Sequence, residues 1–170
     1  KNYENYSNYI KKIRPKIVIN CIVASGIDFC EENQSQAYIL NTFVPIFLAN
    51  ICSKFNSQFI HFSTEAVFHG KIKGYLYSEN SKPDPTTVYG KTKHLADLIL
   101  SKINNTLILR VPMLFGPTHK RQLTSKLLVR LLNNKVIYVA EDVYTTPLYI
   151  PFVADFVYNI LLNKKKYFTK

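Results

Sequence analysis

The 170 residues carry 22 Lys+Arg against 11 Asp+Glu, a net charge of +11, and 47% of them are hydrophobic. Such a chain is long enough to bury a real core and too apolar for a disordered segment. No apolar run in the sequence reaches the length of a membrane span, and the start, K-N-Y-E-N-Y-S-N-Y, lacks the apolar stretch of a secretory signal.

The positive charge invites a nucleic-acid reading, but the lysines are scattered rather than striped and the densest basic run, Lys164 to Lys166, reads as a solvated tail. We therefore expect no nucleic-acid and no membrane partner. Cys21, Cys30 and Cys52 are an odd set without metal-ligand spacing, which reads as reduced thiols in a cytoplasmic protein and as no metal site.

The residues up to Lys12 predict an amphipathic helix that Pro15 ends, and K-I-V-I-N-C (16 to 21) predicts a short buried strand. Ala37 to Phe55 has helical spacing with Pro45 inside it, which either kinks one helix or starts a second. Q-F-I-H-F-S (58 to 63) predicts the next strand, with His61 an ordinary strand residue, and 69 to 87 predicts a long loop. A helix is expected from about Asp84-Pro85 through Tyr89, Lys93 and Leu100 to Asn104-Asn105. Then come a strand at 106 to 111, a helix from Leu123 to Leu132, a strand at 136 to 139 and a last helix from Phe152 to Leu162.

Alternating strands and helices predict an α/β fold, a Rossmann-like parallel sheet with helices on both faces. Ligands of such sheets bind beyond the carboxyl ends of the strands. Three strand ends carry residues that suit a site: Asn20-Cys21-Ile22-Val23, Ser63-Thr64-Glu65 and Arg110-Val111-Pro112.

V-Y-G-K-T-K (88 to 93) holds the one tyrosine in the chain with a lysine four residues later. That spacing puts both side chains on one helix face, yet a chain this rich in both types produces one such pair by chance. The context is more specific. S-T-E-A-V-F-H-G, Y-S-E-N, P-T-T-V-Y-G-K-T-K and L-R-V-P-M-L-F-G-P follow in order, with P-K-I-V-I-N-C and A-Y-I-L-N before them and T-P-L-Y-I-P after them. Over roughly residues 8 to 160 this series resembles the extended short-chain dehydrogenase/reductases. The branch it resembles is that of dTDP-4-dehydrorhamnose reductase, which includes the regulatory beta subunit of methionine adenosyltransferase.

The resemblance implies a catalytic trio of Thr64, Tyr89 and Lys93. It also implies a cofactor, NADP or NAD, lined by Asn20, Cys21, Ile22, Tyr89, Lys93, Val111 and Pro112. On the substrate side it implies Ser25, Glu65, Met113 and His119. The implied reaction is reduction of a 4-keto nucleotide sugar in deoxysugar synthesis, with a homodimer as a compatible assembly. In that chemistry hydride reaches carbon while a proton reaches oxygen. A phenol near pKa 10 must fall about three units, about 4 kcal/mol, to serve at neutral pH. A lysine charge about 4 Å away at an effective dielectric of about 20 supplies that order. Thr64 would donate to the carbonyl oxygen.

The sequence departs from the family at three places. The five glycines form no GxxGxxG turn, the family's Asp-Tyr after Ser-Thr is Glu65-Ala66, and Met113 stands where a Trp often follows the Arg strand. Glu65 reads equally as a substrate contact or a solvated loop acid. His69 and His119 fall in loops near the expected site, where either would suit a sugar or phosphate, and Arg110 reads as an anchor at its strand end. The expected organisation is one incomplete NAD(P)-binding domain over 1–170, without the first β-α-β portion, with about 116–170 leading into the substrate-binding part. The expected piece is thus the middle of a longer enzyme. Two alternatives stay open: a non-catalytic regulatory subunit of the same fold, and an epimerase or dehydratase acting on a nucleotide sugar.

Overall fold

A computed structural model describes residues 3–70, 74–116, 123–141 and 144–168. The chain divides into two compact units, Lys1–Arg110 with Lys164–Lys170, and Val111–Asn163.

The first unit is built on a three-stranded sheet in the order β1-β2-β3, with β1 at Ile17–Asn20, β2 at Gln58–Thr64 and β3 at Thr106–Val111. β1 and β2 are parallel, with Ile17 opposite Gln58 and Asn20 opposite His61. Both strands therefore end on the same side, and β2 extends past its last partner to Ser63 and Thr64. This places two of the expected strand ends on one edge.

α1 (Tyr3–Ile13) buries Ile10 and is followed by Arg14 at φ 50, where the chain turns into Pro15. A short α2 (Ile27–Glu32) and α3 (Gln34–Tyr38) follow. α3 passes through a π-helical stretch at Ile39–Phe43 into α4 (Val44–Lys54), with Pro45 in its first turn. Both readings offered for Pro45 are partly met: the helix runs on, and its hydrogen-bond ladder changes just ahead of the proline. Pro45 has no N–H to close an ordinary turn, and the wider turn absorbs that loss.

The run Gln34–Lys54 is long and apolar enough, by length and composition, to cross a membrane, against the expectation that no run is. Half of it is buried in the first unit, and its Asn41 and Thr42 bond inside that unit, so it is accounted for as a core helix.

α5 (Val88–Leu100) begins later than the expected Asp84-Pro85. Thr87 is the N-cap, its hydroxyl accepting from Gly90 N at 3.1 Å, while Asp84 N donates to Val67 O and belongs to the preceding loop. Glu31 from α2 accepts the orphan N–H of Val88 at 2.8 Å, which sets a carboxylate at the positive end of α5. Gly90 lets α5 approach the turn after β2: a Cβ there would meet the Ala66 carbonyl oxygen at 2.2 Å. α4 and α5 pack against β2, and the main core joins Ile10, Val44, Leu48, Ile51, Phe59, Ala96 and Leu100. Each fully buried aliphatic side chain of this kind contributes about 1.5–3 kcal/mol. A short α8 (Lys164–Tyr167) occupies the basic run expected to be a solvated tail.

The second unit pairs β4 (Leu114–Phe115) with β5 (Leu148–Tyr149) in parallel, Leu114 opposite Leu148. The strand expected at 136 to 139 does not form. Val136, Tyr138 and Val139 are exposed, and no neighbouring strand among the described residues pairs with them. α6 (Leu123–Leu132) has no buried residue, and α7 (Ile150–Leu162) buries Val153, Val157 and Ile160 along one stripe.

Candidate functional site

Ser63 and Thr64 close β2, and Thr64 turns the chain by accepting Ala66 N on its hydroxyl oxygen at 3.2 Å. That use of a lone pair leaves the Thr64 O–H proton free to donate. The hydroxyl is hydrogen-bonded to Tyr89 from the first turn of α5. The structure thus brings together the two hydroxyls that the sequence placed at a strand end and on a helix.

Burial pushes the Tyr89 phenol above its ordinary value; the Thr64 bond pulls it partly back, and Cys30 adds to the rise. This corrects the expectation of a phenol lowered by lysine. The physical reason is geometric: Lys93 Nζ is engaged elsewhere, 3.1 Å from His61 Nε2 and in a close bond to the carbonyl oxygen of Phe62. Lys93 is 2% exposed, and burial holds its amine down to about 8, with Asp97 one turn further along α5 acting upward.

His61, expected to be an ordinary strand residue, is a member of the site. It is fully buried, and its Nδ1 lies 3.0 Å from Asn20 Nδ2. Burial, reinforced by Lys93, drives its pKa down to about 3, so the ring is neutral. The sequence offers only a lone imidazole inside the apolar strand Q-F-I-H-F-S; its place opposite Asn20 comes from the pairing of β1 with β2.

Behind this row, Asp97 accepts from Ser63 Oγ at 2.9 Å and from Arg110 Nε at 3.0 Å. Arg110 is therefore the strand-end anchor expected of it, and its guanidinium also lies over the Phe68 ring. On the other side, Asn41 from the π-helical stretch clasps Ala24 through both N and O and donates to Thr92. Thr92 in turn donates to Tyr89 O, and Thr42 donates to Thr92 O. The first turn of α5, with Tyr89 on it, is thereby tied to the segment after β1.

Of the residues expected to line a cofactor, Asn20 is buried and accepts Ile22 N on its Oδ1 at 3.1 Å. Ile22 is half-buried, and Cys21 is exposed and free. Ser25 is exposed and Glu65 half-buried. Val111, Pro112 and Met113 belong to the second unit, and His119 lies outside the described residues. Among the described residues no group of His, Cys, Asp and Glu is arranged to hold a metal ion. For a nicotinamide cofactor the donor set fits one half of the molecule: two hydroxyls, an amine and a carboxamide gathered at the ends of β1 and β2 suit a ribose and its ring.

The family model described as the RmlD substrate binding domain matches residues 1–169. The chain belongs to that family. It is 29% identical over 161 residues to the dTDP-4-dehydrorhamnose reductase of Aggregatibacter actinomycetemcomitans, covering 94% of this chain and 54% of that protein. It is 30% identical over 128 residues to the methionine adenosyltransferase 2 subunit beta of Xenopus laevis, covering 75% of this chain and 37% of that one. A crystal structure of dTDP-4-dehydrorhamnose reductase from Bacillus anthracis, in complex with NADP, superposes with a TM-score of 0.80 at 27% identity, over 96% of this chain and 56% of that chain. The chain thus spans about half or less of the length of these curated relatives. The fold is α/β and Rossmann-like, as the strand and helix order predicted.

Proposed function

We propose that this chain carries the proton-handling face of an NAD(P)H-dependent reductase of 4-keto nucleotide sugars, in deoxysugar or polysaccharide precursor synthesis. The observation that carries the reading is the Thr64–Tyr89 hydroxyl pair at the end of β2, with Lys93 buried one turn along the same helix. The reductase activity by which the Aggregatibacter relative is named and the NADP in the Bacillus structure support it. Cys30 and Cys52, buried as free thiols, support a reducing compartment such as the cytoplasm.

When bound, the nicotinamide supplies a hydride to the carbonyl carbon. Thr64 then donates to the carbonyl oxygen and stabilises the negative charge that grows there. Tyr89, kept protonated by its burial, gives its proton to that oxygen, which becomes the product hydroxyl. The phenolate left behind is stabilised by a charged Lys93. Asn20, Cys21, Ile22, Tyr89 and Lys93 of the first unit are assigned to the cofactor, as are Val111 and Pro112. Ser25, Glu65, Met113 and His119 are assigned to the substrate.

A second reading is favoured by Glu65-Ala66 after Ser63-Thr64 and by the likeness to the methionine adenosyltransferase subunit: the same fold as a non-catalytic binding partner. Titration of the full-length protein with NADPH, followed by an assay on dTDP-4-dehydrorhamnose, separates the two. The reductase reading expects saturable binding and NADPH oxidation that depends on the sugar nucleotide. Binding without turnover on any 4-keto nucleotide sugar favours the partner reading, and no NADPH binding overturns the reductase reading.

A further inference from the structure

The hydrogen bonds around His61 admit one assignment of protons, and that assignment constrains Lys93. A backbone N–H can only donate, so the Ile22 N bond fixes which end of the Asn20 amide is oxygen. The other end, Nδ2, is therefore the atom 3.0 Å from His61 Nδ1. An amide nitrogen only donates, so Nδ1 accepts, and a neutral imidazole must carry its proton on Nε2. That Nε2–H faces Lys93 Nζ at 3.1 Å. An ammonium has no lone pair to accept it, whereas a neutral amine accepts there and still donates to the carbonyl oxygen of Phe62. Asn20, His61 and Lys93 are 3%, 0% and 2% exposed, so water does not relieve a mismatched pair.

We propose that His61 is the positioning residue of Lys93: the chain Asn20–His61–Lys93 is complete only while Lys93 is a neutral amine, and charging Lys93 moves the imidazole proton from Nε2 to Nδ1 and breaks the bond to Asn20. The inference rests on the reading that Lys93 is the charged partner of Tyr89, and it adds a device that reports that charge to the end of β1. The groups packed around Lys93 set where the change falls. From its own helix, Asp97 favours the charged form, but Arg110 of β3 and Ser63 of β2 already engage that carboxylate. β1 contributes only the neutral Asn20, and β2 contributes a His61 that stays neutral down to about pH 3. Burial then places the change at Lys93 near pH 8, so the tautomer of a ring that is neutral at that pH switches there.

The test is nitrogen NMR on the full-length protein with labelled histidine, taken from about pH 6 to about pH 10. The expected result is Nε2–H at the alkaline end, Nδ1–H at the acid end and a midpoint near 8. The His61 signal is assigned by its loss in His61→Gln or, should that variant not fold, by through-space contact with the Phe59 ring stacked at 6.3 Å. In Lys93→Met the ring should remain one tautomer at every pH. A single tautomer throughout in the parent protein, or a switch that persists in Lys93→Met, overturns the proposal. NADPH titration over the same range tests the underlying reading separately: absent binding sinks the reductase function, whereas binding beside an unchanging tautomer sinks only the role given to His61.

Discussion

The two units bury their side chains in very different ways. In the first, nine of the ten buried polar or charged residues among those described bond around the site: Asn20, His61 and Lys93 in one chain, Ser63 with Asp97, Thr64 at the turn after β2, and Asn41, Thr42 and Thr92 in a third group. In the second, α6 buries nothing, and Leu128, Leu131 and Leu132 are all exposed. Buried polar networks that are satisfied fix a unique geometry, and a network of this kind is what a proton-transferring pair requires. The difference teaches that the positions of Tyr89 and Lys93 are set within the first unit, by groups on β1, β2, β3 and the π-helical stretch.

If this contrast is right, substitutions should cost far more in the first unit than in the second. Gly90→Ala should have the largest effect, about 4 kcal/mol or more in denaturant unfolding, because the new Cβ collides with backbone rather than with a movable side chain. A loss under about 1 kcal/mol would mean that α5 is not held against the turn after β2. Asn41→Ala comes next, at about 2–3 kcal/mol, since it leaves Ala24 N without its buried partner and Ala24 O with only the weak Cys30 thiol donor.

A pH series sharpens the same contrast. The folded His61 pKa of about 3 lies below its ordinary 6.5, so the unfolded chain binds the extra proton between those values. This contribution to stability is complete above about pH 6.5 and is lost as pH falls toward 3, at up to about 1.4 kcal/mol per unit. His61→Gln should flatten that part of the curve. Lys93 acts in the same sense at the other end, adding stability as pH rises from about 8 toward its ordinary 10.5. The smallest effect belongs to the second unit: Leu131→Ser on α6 should change stability by less than about 0.5 kcal/mol.

That Thr64 and Tyr89 come together was legible through the ordered series of motifs that carries the resemblance, which sets a Ser-Thr strand end ahead of the helix bearing Tyr89 and Lys93; the four-residue spacing alone decided nothing. Pro45 likewise announced a break in the helix ladder, although not that the turn before it would widen and set Asn41 against Ala24. The role of His61 was not legible. Its partners are 41 and 32 residues away, and only the pairing of β1 with β2 and the packing of α5 bring them together. For the same reason the direction of the Tyr89 shift was misjudged, because the four-residue spacing says that lysine is near but not which acceptor its amine has taken. The failed strand at 136 to 139 shows the converse. V-I-Y-V has the composition of a strand, but composition does not supply the neighbour whose backbone it must bond. α2, at six residues, is too short for periodicity to reveal.

The measurement closest to the central claim is steady-state reduction of dTDP-4-dehydrorhamnose by the full-length protein and its Tyr89→Phe variant, alongside NADPH affinity. With Tyr89 as the proton donor, kcat should fall by about 10²–10⁴-fold while NADPH binding stays within a few-fold of the parent. Unchanged turnover in Tyr89→Phe would contradict the account, because the hydroxyl paired with Thr64 would then have no part in the chemistry.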